Sequence, residues 1–147
     1  MVIEFRTWDF DGGWTIGRWI EDRALDRRIQ FVGRAVFTPA GEGVLTYHED
    51  GRMHGPGLDP IRAERRHTWR FDAGRTIHVD FEDGRPFYDF DPLAARPRAT
   101  HDCPPDLYAI ALDFGAWPEW KTVWTVSGPE KDMTITSIYR REAGVPG

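Results

Sequence analysis

Ile61-Arg-Ala63-Glu-Arg65-Arg-His67-Thr-Trp69-Arg-Phe71-Asp-Ala73-Gly74-Arg-Thr76-Ile77-His-Val79-Asp-Phe81 is the stretch that decides the fold. Ala63, Arg65, His67, Trp69 and Phe71 form one alternate set, and Arg62, Glu64, Arg66, Thr68 and Arg70 the other. After Ala73-Gly74, Ile77, Val79 and Phe81 alternate with Thr76, His78 and Asp80. A period of two sends successive side chains to opposite faces of a strand, and a short glycine-containing break between two such runs reads as a hairpin.

The same period continues outward. Trp14, Ile16, Arg18 and Ile20 alternate with Thr15, Gly17 and Trp19; Met133, Ile135, Ser137 and Tyr139 alternate with Thr134, Thr136, Ile138 and Arg140. Turn signals stand at Pro39-Ala-Gly41, Asp50-Gly51, Asp83-Gly84 and Gly128-Pro129. The pattern predicts strands over residues 14–23, 29–38, 43–49, 61–71, 75–82, 86–90, 98–103, 106–114, 120–127 and 132–141. Residues 53–60, with Gly55, Pro56, Gly57 and Pro60, read as a loop, as do residues 91–97; residues 2–9 read as a short helical turn. Sequential hairpins make a meander, and closing a long meander removes its exposed edges. The expected fold is all-β: a single up-and-down antiparallel barrel of about eight to ten strands over residues 1–147, with a β-sandwich as the alternative.

Composition narrows the function classes. The 147 residues include 7 Trp, and aromatics make up 14%, which argues for a ring-built core or cavity wall. The lone cysteine, Cys103, cannot form an internal disulfide or a multi-cysteine zinc site. No apolar segment reaches signal-peptide or membrane-spanning length, so the expected location is cytoplasmic, with no membrane partner. The net charge of -5 argues against nucleic acid as a partner, and the arginines between Arg62 and Arg70 read as a solvated strand face.

Gly12-Gly13-Trp14 at the start of the first long strand resembles the Gly-x-Trp signature of lipocalins, in which the Trp plugs one barrel end beneath a basic residue of the last strand. Arg140 or Arg141 stands where that residue is required. Further motifs extend the resemblance: Leu45-Thr-Tyr47-His-Glu49-Asp-Gly51, Phe81-Glu-Asp83-Gly84-Arg85-Pro-Phe87, His101-Asp-Cys103-Pro-Pro-Asp106-Leu-Tyr108, Trp124-Thr-Val-Ser-Gly128-Pro129-Glu-Lys131-Asp132, and Tyr139-Arg140. Together they are similar to a bacterial family, domain of unknown function 6314, grouped with the calycin or lipocalin-like barrels. The resemblance implies the barrel and brings no activity with it. Tyr88 follows Phe87 where the family pattern leads us to expect His, so a role needing an imidazole there does not carry over.

If the Trp14 face is inward, the interior also receives Arg18, Glu49, Arg65, His67, Trp69, His101, Tyr108, Trp124 and Tyr139, the candidate ligand-binding set. Buried charges are costly unless paired or solvated, so they imply a closed network or a wet cavity. Arg18 with Glu49 reads equally as a structural ion pair or as part of a grip on a ligand anion. The leading expectation is a binding protein for a small aromatic or acyl molecule with an anionic group, acting as a monomer or homodimer and needing no cofactor. Calycin-like barrels also include enzymes, which offers a cofactor-independent lyase, isomerase or decarboxylase with Glu49, Tyr47, His101 and Tyr108 as catalytic candidates. A third reading is a filled barrel that binds proteins through residues 53–60 and exposed rings such as Trp19 or Trp117. His101 with Cys103 reads as a hydrogen-bonded imidazole and a small buried thiol rather than a base and nucleophile. Two imidazoles, His67 and His101, with Glu49 are the one metal-like set, and their linear spacing does not favour it, so no metal is expected.

Overall fold

The structure is a computed structural model and describes residues 7–72 and 76–142. A helical turn, α1 (Thr7–Phe10), precedes ten strands: β1 (Gly12–Asp22), β2 (Arg27–Pro39), β3 (Val44–Gly55), β4 (Leu58–Asp72), β5 (Thr76–Phe81), β6 (Pro86–Phe90), β7 (Arg98–Cys103), β8 (Asp106–Asp113), β9 (Trp120–Ser127) and β10 (Asp132–Arg141). All pairings are antiparallel, in the order β6-β5-β4-β3-β2-β1-β10-β9-β8-β7. The first and last strands therefore meet mid-sheet, Trp14 opposite Arg141 and Arg18 opposite Ser137. The result is a nearly closed up-and-down barrel, not a sandwich.

The ends of that order, β6 and β7, face each other with no ladder between them among the described residues. Rings bridge this seam instead: Phe87 of β6 packs edge-on against His101 of β7, with centroids 5.1 Å apart. Pro86 at the start of β6 cannot donate to a ladder, as suits an edge strand.

Alternation builds the core as the sequence implies. Trp14, Ile16, Phe31, Ala35, Phe37, Leu45 and Trp69 are buried, with Thr15, Thr38 and Thr46 outside. One end of the barrel is closed by rings around Phe10, whose centroid lies 5.2 Å from Trp69, 5.7 Å from Trp120 and 5.1 Å from Trp117. The Trp14 Nε1–H donates to the Phe10 carbonyl at 2.9 Å and fixes the helical turn over this end. Each such ring stabilises the fold by about 1.5–3 kcal/mol through burial.

Three expectations need correction. Residues 53–60 are not a loop: β3 runs to Gly55, β4 starts at Leu58, and the turn is only Pro56-Gly57, with Gly57 at φ 73°. Pro followed by a positive-φ Gly is the order of a type II turn, so the glycines and prolines mark one tight corner. Asp50-Gly51 is not a turn either; Gly51 lies mid-strand opposite Gly33. Trp117 is not an exposed ring but is half-buried beside Trp14 and Phe10. Ala73-Gly74 and residues 2–6 lie outside the described residues.

Candidate functional site

The mid-barrel holds a closed polar network. Arg18 on β1 points inward and meets Glu49 on β3 through two bonds, Nη1 to Oε2 at 2.5 Å and Nη2 to Oε1 at 3.0 Å. Its Nε–H donates to the Ser137 hydroxyl at 2.7 Å. Tyr47 donates to Glu49 Oε1 at 2.5 Å and lies 3.0 Å, oxygen to oxygen, from Tyr139. Burial pushes the Glu49 carboxyl up, but the Arg18 guanidinium and the Tyr47 hydroxyl outweigh it and hold Glu49 below the usual carboxylate range. Burial pushes both tyrosines up, so they stay protonated. Every partner here is satisfied from within, as a structural ion pair requires.

Beside this network lies a chamber of about 20 Å³, the size of one water, walled by Glu49, His67, Trp69, Trp120, Trp124 and Tyr139. Above it, toward the seam, opens a cavity of about 630 Å³. Phe81, Phe87, Tyr108 and Trp124 supply its apolar wall, and Arg65, Arg85, His101 and Asp102 its polar edge. Arg65, His67, Phe87 and Trp124 border both spaces, so the cavity floor is the chamber roof.

Charge and hydrogen bonding at this floor are unbalanced. Arg65 stands opposite Glu49 across the β3–β4 ladder, yet makes no ion pair among the described residues. Its guanidinium lies 5.0 Å from the centre of the Trp124 ring. With Arg18 paired to Glu49, the Arg65 guanidinium is the unpaired charge of these three. His67 Nδ1 lies 3.2 Å from the Asp80 carbonyl oxygen. A carbonyl only accepts, so the proton sits on Nδ1 and the neutral ring presents a lone pair at Nε2. His67 Nε2, Trp120 Nε1 and Trp124 Nε1 are all buried without a hydrogen-bond partner among the described residues.

Burial, aided by the Arg65 charge, lowers the His67 pKa to about 4. The folded protein therefore refuses a proton that the unfolded chain accepts near pH 6.5. Stability is full above that pH and falls as pH drops toward about 4, by roughly 2–3 kcal/mol for this group. Urea denaturation of wild type and His67→Gln at pH 7, 5.5 and 4.5 checks this: the variant should lose the steepest part of the decline.

The structure sorts the candidates. Arg65, His67, His101, Tyr108 and Trp124 meet at the cavity; Trp69 and Tyr139 wall the chamber; Arg18 and Glu49 are locked beside it. Arg141, not Arg140, covers Trp14: its guanidinium lies 4.1 Å from the ring centre and donates to the Asp11 and Asp9 carbonyls. Arg140 alternates outward to Glu119 at 2.6 Å. Cys103 is exposed rather than buried, because β7 reaches the rim of the cavity there. Among the described residues no cluster of three His, Cys, Asp or Glu could hold a metal ion. Arg62 and Arg70 on the outer face of β4 are engaged by Asp50 and Asp80. Phe81, Phe87 and Trp120 were not among the candidates; the first two flank the Asp83-Gly84 turn, a position that a hairpin at the mouth would have flagged.

No helix among the described residues is long and apolar enough to cross a membrane. No curated protein matches the sequence. Among solved structures, the S-type phycobiliprotein lyase CPES from Guillardia theta is similar in fold, with TM-score 0.64 and 8% identity over 95% of this chain and 92% of that one. A redesigned β-barrel, mFAP1, bound to DFHBI gives TM-score 0.42 at 14% identity, over 91% and 97% of the two chains. The sequence matches the family described as "Family of unknown function (DUF6314)" over residues 10–141, and the chain belongs to that family.

Proposed function

We propose that this barrel binds a small aromatic or acyl molecule carrying an anionic group, and that it does so in the cavity at the seam. The observation that carries the reading is Arg65: a guanidinium without an ion pair among the described residues, beside an aromatic cavity large enough for a ligand. The anion lies against Arg65, and the apolar body lies between Phe87, Tyr108 and Trp124. Arg18 and Glu49 set the charge balance from beneath. A cytoplasmic monomer or homodimer, with no nucleic-acid or membrane partner, suits the single free thiol and the acidic net charge.

Titration with 1-anilinonaphthalene-8-sulfonate, followed by probe fluorescence and by displacement with dodecanoate, tests the reading. Wild type should bind with saturation. Arg65→Ala should weaken binding by about tenfold, the effect of losing one charge-assisted hydrogen bond. Saturable binding that is unchanged in Arg65→Ala, or no binding by wild type, overturns it.

A further inference from the structure

The chamber beneath the cavity points to the chemistry of the ligand's buried end, an inference that rests on the binding reading above. Its polar equipment is specific. His67, fixed by its bond to the Asp80 carbonyl, offers an acceptor at Nε2. Trp120 and Trp124 each offer an indole N–H. All three side chains border one space the size of a water molecule, and none of those atoms has a hydrogen-bond partner among the described residues. Leaving such groups unmatched is unfavourable, so a native site supplies what matches them.

A carboxylate matches poorly, because it cannot donate to Nε2. An ammonium matches poorly, because it cannot accept from an indole and would stand near Arg18 and Arg65. A hydroxyl does both: it donates to Nε2, accepts from an indole N–H, and fits the volume. We infer that the ligand is a hydroxylated aromatic or acyl anion, whose hydroxyl seats in the chamber between His67 and the indoles while its anion lies outward at Arg65. The order along β4 agrees: Arg65 is exposed and borders both cavity and chamber, and His67, two residues on along the same face, is buried.

Three matched probes test this: 2-naphthoate, 6-hydroxy-2-naphthoate and 6-methoxy-2-naphthoate, titrated by their own fluorescence. The hydroxy compound should bind wild type at least about tenfold more tightly than either of the others, because a site built around a hydroxyl discriminates against analogues that lack it or cannot donate. The preference should vanish in His67→Phe and shrink in Trp124→Phe, which keeps an apolar ring and removes only the indole donor. Arg65→Ala should weaken all three probes alike and leave the preference intact. Equal binding of the three by wild type overturns the hydroxyl assignment alone. A preference that persists in both ring variants also overturns it. Failure of wild type to bind any of them overturns the binding reading with it.

Discussion

Glu49→Ala should leave the protein close to unfolding, with a melting temperature lower by more than about 10 °C and about 3–5 kcal/mol of stability lost. The loss exceeds that of the bonds themselves. Glu49 receives two bonds from Arg18 and one from Tyr47, and its removal leaves the Arg18 guanidinium buried with only hydroxyls to face. Arg65, opposite on β4, adds a second cation to the same region once the carboxylate is gone. Arg18→Met should be as damaging, for the mirrored reason of an uncompensated carboxylate. The double variant Arg18→Met, Glu49→Leu should recover most of the loss, because two apolar side chains of similar volume need no partner. It should also keep 1-anilinonaphthalene-8-sulfonate binding, since Arg65 and the aromatic wall are untouched. Urea and thermal denaturation of wild type, Arg18→Met, Glu49→Leu and the double variant form the cycle; additive losses in the double variant would mean that the pair is not a coupled unit.

The barrel was legible because its signal is local. Trp69 and Val79 announce strands by alternation alone, and sequential hairpins leave few ways to connect them. Trp14 beneath Arg141 was half legible: the sequence brought two adjacent arginines to the last strand, and only the direction of alternation separates Arg141 from the outward Arg140. The location of the cavity was not legible. It lies at the seam, where β6 and β7 meet without a ladder, and that junction depends on how far the sheet curls before it closes. Arg18 and Glu49 read equally as an ion pair or as ligand groups from the alternation pattern; the closing ladder between β1 and β10 adds Ser137 and Tyr139 and completes the network around them. Asp50-Gly51 misled because glycine serves two purposes in β proteins, positive φ in turns and absence of a side chain at close approaches.

That second purpose gives the other large effect, at Gly51. Gly33 and Gly51 face each other across β2 and β3, and a Cβ on Gly51 would stand 2.4 Å from the Val32 carbonyl oxygen and 2.7 Å from the Gly33 Cα. Both are backbone atoms, so no rotamer relieves the clash; the strands would have to separate. The Phe31 ring lies across the pair, 2.6 Å from the same Cβ position. The Arg18 guanidinium lies 4.9 Å from the centre of that ring. Spreading the strands would therefore disturb the support of the buried ion pair as well as the ladder. Gly51→Ala should cost about 3 kcal/mol, the upper end for overpacking, and Gly51→Val more. Gly57 supplies the contrast, because it has φ 73° and nothing within 4 Å of its Cβ position. Gly57→Ala should lose only about 1–2 kcal/mol, the conformational cost of a left-handed residue. Urea denaturation of the three variants separates the two causes. A Gly51→Ala variant no less stable than Gly57→Ala would show that the two strands do not approach this closely, and the path from Gly51 through Phe31 to Arg18 would fall with it.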